Sequence, residues 1–325
     1  MTALAETIAA QGDLLDDVLS LNLDDAADRL GGARRVWFVG TGTSQHAAEL
    51  GAWMFGPGDR PARWCSSAAF CFDPPALDAD DAVVIISHTT ETAFAQQARA
   101  YAIGAGARVV SITAQGRGWP EAVEPAPLER SETYTASYLA ALLVLARLSV
   151  ELGQSGFDQR QLSELPGRVR AAARAPAVLD AAPERLVVLA GVGPAAVTAR
   201  EGALKLREAS RLPAEGYEAE YLLHGTAVPL GPGDALLAIQ PADDRFGLLE
   251  RLAGAAASEG LLVVTLSERE GLHPALAQIP LTVRLQKLAS DLADARGIDP
   301  DKVIRASWAD AELWRLGSPG ADGAW

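Results

Sequence analysis

Val36-Trp37-Phe38-Val39-Gly40 is an apolar run that stops on a glycine, and Thr41-Gly42-Thr43-Ser44 follows it, opening a stretch of helical composition over 44–55. The pattern recurs. Ala82-Val83-Val84-Ile85-Ile86-Ser87 leads to a helical stretch over 92–103, and Arg108-Val109-Val110-Ser111-Ile112 comes next. A second series starts about half a chain later. It comprises Leu186-Val187-Val188-Leu189-Ala190-Gly191, Ala235-Leu236-Leu237-Ala238-Ile239 and Leu261-Leu262-Val263-Val264-Thr265-Leu266, with helical stretches at 195–210 and 245–259. Continuous apolar runs of this length fit strands covered on both faces. Strand and helix in alternation predict parallel βαβ units with right-handed crossovers. Each half therefore reads as a three-layer α/β/α domain with a flavodoxin-like parallel sheet. The predicted boundaries are a helical segment at 1–31, a first domain at 32–158, a second at 175–311 and a tail at 312–325. Residues 159–183 read as a helix plus linker, and Gly317 to Trp325 as frayed.

Composition fits two such domains. At 325 residues the chain exceeds one average domain, about 100–200 residues. Hydrophobic residues at 49% supply a core, and charged residues at 22% argue against wholesale disorder. A net charge of −14 disfavours nucleic acid and anionic membrane surfaces as partners. It leaves an anionic small molecule open, because a local site can oppose the global field. Cys65 and Cys71 make neither a disulfide framework nor a zinc pattern, and read as reduced packing residues. The acidic N-terminus does not look like a signal peptide, and no apolar run is long enough to span a membrane. The expectation is a soluble cytoplasmic protein.

Ligands of open α/β sheets bind beyond the carboxyl ends of the strands. The loops there are Thr41-Gly42-Thr43-Ser44 and Ser87-His88-Thr89-Thr90-Glu91-Thr92, both rich in hydroxyls and both at a helix N-terminus. Free backbone amides and the positive end of the helix dipole favour an anion there. One such residue would be read as a helix cap. Two such loops at successive strand ends exceed what capping needs and point to phosphate. No Walker lysine and no GxGxxG follow, so no nucleotide cofactor is expected, and no metal. In the second half, Gln240-Pro241-Ala242-Asp243-Asp244 replaces the hydroxyl loop, and its acids would repel phosphate. One phosphate site per chain is expected. In the helix at 195–210, Glu201, Lys205 and Glu208 share one face at i, i+4 and i+7. Spacing alone favours a solvated face with an ion pair that contributes about 0.3–0.5 kcal/mol.

Gly42-Thr43-Ser44 resembles the Gly-Thr-Ser loop of the SIS (sugar isomerase) domain, and Ser87 to Thr92 resembles its Ser-x-Ser-Gly-Glu-Thr phosphate loop. Thr89 stands for the serine and Thr90 for the glycine. Glu201-Gly-Ala-Leu-Lys205-Leu-Arg-Glu208 is similar to a segment in the isomerase half of glucosamine-6-phosphate synthases. The likeness continues through Ala214-Glu215 and Tyr217 to His224-Gly225, with Tyr221 where a glutamate is usual. It covers roughly 24–305 and implies tandem SIS domains. It implies that Thr43, Ser44, Ser87, His88, Thr89, Thr92 and Glu201 bind the substrate. Glu208 would move a proton between C1 and C2 of an open-chain sugar, as a carboxylate can. His224 would assist ring opening, an imidazole task near neutral pH, and would do so in a neighbouring subunit of a homodimer. Lys205 would orient the open chain or keep Glu208 ionised. His46 and His273 read as surface or packing residues.

Two departures limit the likeness. The sequence begins Met1-Thr2, without the synthases' glutaminase domain, so a glutamine-independent reaction is expected. The family's Schiff-base lysine aligns with Trp308, which has no amine, and Lys302 is off register. The reading is an aldose–ketose isomerase or deaminase of a hexose or hexosamine 6-phosphate. The alternatives are a non-catalytic sugar-phosphate sensor, or a phosphosugar enzyme of specialised metabolism with altered chemistry.

Overall fold

The computed structural model describes residues 1–56, 61–240, 244–268 and 271–319. Two helices lead, α1 (Ala3–Leu19) and α2 (Asp24–Gly31). Then come β1 (Arg35–Gly40), α3 (Thr43–Met54), β2 (Ala62–Ser66), α4 (Ser67–Phe72), β3 (Asp81–Ile86) and α5 (Ala93–Gly104). β4 (Arg108–Ala114), β5 (Ala122–Ala126), α6 (Ala136–Glu151) and α7 (Gln159–Arg174) follow. The second series runs β6 (Val187–Gly191), α8 (Pro194–Ser210), β7 (Ala214–Glu218), α9 (Ala219–Tyr221) and a π-helical turn at Leu222–Thr226. It ends with β8 (Ala235–Gln240), α10 (Leu248–Ser258), β9 (Leu262–Ser267) and α11 (Pro274–Ala295). A 3-10 turn at Ala306–Ala309 and α12 (Ala311–Arg315) close the described chain.

Two compact units emerge. One comprises Asp13–Glu129, Ala136–Ser163 and Ile304 onward; the other comprises Met1–Gly12, Arg130–Thr135 and Glu164–Val303. The first holds a five-stranded sheet in the order β2-β1-β3-β4-β5, with every pairing parallel. β3 is buried at all its positions, as a doubly covered strand requires. Alternation sends Val39, Val83, Ile85 and Val109 into one face, against Phe70 and Cys71 of α4 and Ala95, Ala98 and Ala102 of α5. Phe38 turns the other way and meets Phe55 edge-on, with ring centroids 4.9 Å apart. α3 and α6 cover that face. Each large side chain so buried stabilises the fold by about 1.5–3 kcal/mol. Both cysteines are free, and burial pushes the Cys71 thiol up to about 11.

The second unit holds four parallel strands in the order β7-β6-β8-β9. Val188, Ala190, Leu236 and Ala238 pack on Leu249 and Leu252 of α10 and on Leu222. α11 lies against α8. The six strands anticipated from apolar runs are present, as are the helices between them. β2, β5 and β7 were not anticipated, nor was α6 as an element. Among the described residues, no helix is long and apolar enough to cross a membrane. The tail expected to fray lies from residue 320 onward outside the described residues.

Candidate functional site

In the first unit the strand order reverses between β1 and β3, which are paired with Val39 opposite Ile85. A crevice forms beyond strand ends at such a switch point, and both hydroxyl loops flank it. Gly42 turns the chain from β1 into α3 at φ 59, ψ −128, backbone open only to glycine, and it offers no side-chain cap. Gly193 makes the same turn before α8, at φ 58, ψ −127. Thr43 and Ser44 form the start of α3, whose first-turn amides face the crevice end of the helix.

The loop after β3 is strapped to β4. Ser87 N donates to Ile112 O at 3.0 Å, and Ala114 N donates to His88 O at 2.9 Å. Ser87 is buried at 3% exposure, and its hydroxyl has no hydrogen-bond partner among the described residues. Such a group costs about 1–3 kcal/mol unless something else satisfies it. Thr92 caps α5 through its backbone alone, with no side-chain capping bond. The capping account of these hydroxyls therefore fails at Thr92. Thr89 Oγ1 accepts from Glu91 N at 3.2 Å. Thr90, at the position of the family's glycine, adopts φ 61. For a β-branched residue that left-handed backbone costs roughly 1–2 kcal/mol.

His88 is tied to the start of the next segment, where Glu129 N donates to its Nε2 at 3.1 Å. That bond requires a neutral imidazole protonated on Nδ1. Burial pushes the His88 pKa below its ordinary value; Arg117 adds to the fall and the Glu129 carboxylate opposes it. The Glu129 carboxylate also accepts from Ala136 N and Ser137 N at the start of α6, at 3.2 and 2.9 Å. Sequence reasoning singled out neither Glu129 nor Arg117, since nothing in their spacing marks them.

In the second unit, α8 brings Glu201, Lys205 and Glu208 together. Lys205 Nζ donates to Glu208 Oε2 at 2.6 Å and to Tyr134 O at 3.0 Å, and it stands 3.5 Å from Glu201 Oε1. Side-chain exposure is 1% for Lys205, 0% for Glu201 and 20% for Glu208. The solvated face expected from spacing alone is thus incorrect: two of the three charges are wholly buried. Glu208 keeps an open edge, so one carboxylate of the cluster can meet a ligand. Tyr134, whose carbonyl completes the lysine's shell, gave no sequence signal.

His224 is not gathered into that cluster. It lies in the π-helical turn, 74% exposed, with its Nε2 at 3.8 Å from Glu220 Oε1. Tyr217 stacks on Tyr221 just before it, with ring centroids 6.0 Å apart. His273 caps α11, its Nδ1 accepting from Ala275 N at 3.2 Å. Lys302 is exposed, 3.7 Å from Glu132. Trp308 is 73% exposed, and its carbonyl accepts from Trp314 Nε1 at 2.6 Å. Residues 241–243 of the acidic loop after β8 lie outside the described residues. Asp244, which is described, accepts from Leu248 N and Leu249 N at 3.2 and 3.3 Å, and so occupies amides an anion would use. Among the described residues no cluster of His, Cys, Asp and Glu could hold a metal ion.

Residues 30–118, which carry both hydroxyl loops, match the SIS domain family. The glutamine–fructose-6-phosphate aminotransferase (isomerizing) of Thermococcus kodakarensis is 30% identical over 311 residues, covering 85% of this chain and 52% of that protein. The Bradyrhizobium diazoefficiens enzyme of the same name is 28% identical over 309 residues, covering 83% and 50%. The chain spans about half the length of these curated relatives. Among solved structures, glucosamine-6-phosphate deaminase from Thermotoga maritima aligns with a TM-score of 0.78 at 20% identity, covering 94% of this chain and 99% of that one. Tagatose-6-phosphate ketose/aldose isomerase from Escherichia coli aligns at 0.75 with 14% identity, covering 94% and 96%. At these identities the structural likeness establishes the fold.

Proposed function

We propose, because residues 30–118 match the SIS domain family, that the chain is a tandem-SIS enzyme, its second domain at 175–311. Its reaction is the interconversion of aldose and ketose forms of a hexose or hexosamine 6-phosphate. The observation that carries the proposal is the Glu201–Lys205–Glu208 cluster, in which a part-open carboxylate is held 2.6 Å from a buried ammonium. Buried charges this costly cluster at functional sites. The names of the similar proteins point the same way: an isomerizing aminotransferase, a deaminase and a ketose/aldose isomerase, each of a sugar phosphate.

In this reading Thr43, Ser44, Ser87, His88, Thr89 and Thr92 hold the phosphate with hydroxyls and helix amides. Glu208 removes the C2 proton of the open-chain aldose and returns it at C1, and Lys205 orients its carboxylate while Glu201 fixes the lysine. With a 2-amino substrate the same transfer yields a C2 imine. Water hydrolyses that imine to the ketone and ammonia, so no nitrogen donor is consumed. His224, exposed on its turn, exchanges protons with the ring oxygen during opening and acts in a second subunit of a homodimer. The enzyme is soluble and cytoplasmic, with no cofactor.

The test is incubation with a panel of hexose and hexosamine 6-phosphates, following ketose and ammonia separately. Glu208→Gln should lower turnover at least about 100-fold, the scale of lost acid–base catalysis, while sugar-phosphate binding persists. Unchanged turnover in that variant would sink the assignment. Trp308 in place of the family's lysine favours the sensor instead. Strong thermal stabilisation by one sugar phosphate, with no product from any, would establish that reading. Light scattering decides the dimer: a monomer at assay concentration removes the role given to His224.

A further inference from the structure

The loop Ser87–Thr92 places a threonine where its backbone takes a glycine conformation. Thr90 holds φ 61, and such positions persist only where the surroundings over-determine them. Three contacts do so. Thr90 Oγ1 donates to Thr89 O at 2.6 Å. Gln96, in the first turn of α5, donates Nε2 to Thr90 O at 2.8 Å. Arg117 spans two neighbouring residues of the loop, its Nε 3.4 Å from Thr90 Oγ1 and its Nη2 2.5 Å from Glu91 Oε1.

Arg117 is itself aimed. It follows β4 in a turn between Gly116 at φ 73 and Gly118 at φ 79, both left-handed. Gly116 N is anchored by Glu124 Oε2 at 3.0 Å. The same strand end straps the loop through Ile112 O and Ala114 N. A guanidinium is suited to this because its fork has fixed geometry and its charge does not titrate. A glycine at residue 90 would need no such brace, since it visits φ > 0 freely.

We propose that Arg117 is a positioning residue that locks Thr90 left-handed, so that the buried Ser87 hydroxyl and the loop amides keep the arrangement that receives an oxyanion. The lock substitutes for the glycine the loop lacks. It acts on binding and leaves the proton transfer at Glu208 alone. The proposal rests on the reading of this loop as the phosphate site, and the measurements below separate the two.

Arg117→Gln is compared in two backgrounds, Thr90 and Thr90→Gly, with inorganic phosphate and glucosamine 6-phosphate as calorimetric probes of the full chain. In the Thr90 background Kd should rise about tenfold. KM for whichever sugar phosphate the chain turns over should rise likewise, with kcat within about twofold, a split that general destabilisation would not produce. In the Thr90→Gly background the same substitution should change Kd less than about twofold, because nothing remains to lock. An equal rise in both backgrounds makes Arg117 a direct ligand of the anion and overturns the proposal, as does no rise in either. If the wild type binds neither probe, the phosphate reading fails and the lock is decided by amide exchange across residues 87–92. Faster exchange in Arg117→Gln that Thr90→Gly restores supports the lock; unchanged exchange overturns it.

Discussion

Lys205 retains 1% of its side-chain surface and Glu201 none. Desolvating such groups costs several kcal/mol each, and Glu208, Tyr134 O and Glu201 around Nζ help to offset it. Lys205→Met takes the ammonium away from buried Glu201, and breaking a buried pair should destabilise the fold by about 3–5 kcal/mol in urea unfolding. A loss under about 1 kcal/mol would mean the charges are not paired as described. Glu208→Gln should behave in the opposite way, with little stability lost and turnover abolished, because its carboxylate is the one with an open edge. His88 gives a pH test. Burial depresses its pKa, so between the unfolded value near 6.5 and the folded value the unfolded chain binds more protons. Its contribution is therefore whole above about pH 6.5 and is lost as pH falls through the folded value. Glu129→Gln removes a carboxylate that raises that pKa, so nitrogen-detected NMR should show the imidazole titrating lower still. A higher midpoint would contradict the arrangement.

At the scale of elements, legibility followed burial except at β9, an edge strand largely half-buried or exposed whose apolar run still announces it. β1, β3, β4, β6 and β8 are interior strands or flank the sheet centre, and their apolar runs announce them. The three strands that went unseen, β2, β5 and β7, are all sheet edges. Ala62-Arg63-Trp64-Cys65-Ser66 and Ala214-Glu215-Gly216-Tyr217-Glu218 are largely half-buried or exposed, so their composition is mixed and carries no run. α6 was missed for the converse reason: it is apolar nearly all round and shows no period to read. Gly42 and Gly193 were visible as glycines, but their shared dihedrals were not. Gly42→Ala meets nothing within 4 Å, so its cost, about 1–3 kcal/mol, should be backbone strain alone. An alanine variant as stable as wild type in urea would show that the turn is not fixed. At the opposite end of these strands, Arg35 and Asp81 pair at the starts of β1 and β3, with Nη2 at 2.5 Å from Oδ2. The Arg35 guanidinium, helped by Arg34, holds the Asp81 carboxyl down at about 2 against the cost of burial. The unfolded carboxyl titrates near about 3.9. The stabilisation is thus complete above about pH 4 and is lost as pH falls through about 2. Asp81→Asn should lower the urea midpoint at neutral pH, and the gap to wild type should narrow as pH approaches 2. A pH-independent gap would refute the ion pair as its source.

At the scale of the whole molecule, the −14 charge is compatible with the proposed phosphate ligand, because such a site would hold its anion with hydroxyls and amides. The candidate site was legible as two separate motifs, the hydroxyl loops and the α8 carboxylates. What the motifs could not convey is that each depends on chain far away in sequence. The second unit takes in Met1–Gly12 and Arg130–Thr135 beside Glu164–Val303. Arg130–Thr135 supplies Tyr134 O to Lys205, Glu132 Oε2 to Val303 N at 2.7 Å, and the Thr133 hydroxyl to Pro300 O at 2.7 Å. Met1–Gly12 supplies Gln11, which donates to buried Gln286 Oε1 at 2.8 Å, and a helix start whose Ala3 and Leu4 amides are held by Asp301. A polypeptide of residues 164–325 keeps β6–β9, α8 and α11 but takes Tyr134 O from Lys205 and Gln11 from Gln286, and a buried polar bond lost in this way costs about 1–3 kcal/mol. Against a marginal total stability of about 5–15 kcal/mol, that should abolish a cooperative thermal transition in the fragment. Circular dichroism should then show a broad melt where the full chain gives a sharp one. A fragment that melts cooperatively within about 3 °C of the full chain would show that the α8 cluster is self-sufficient. Tyr134 O would in that case be dispensable to the buried lysine.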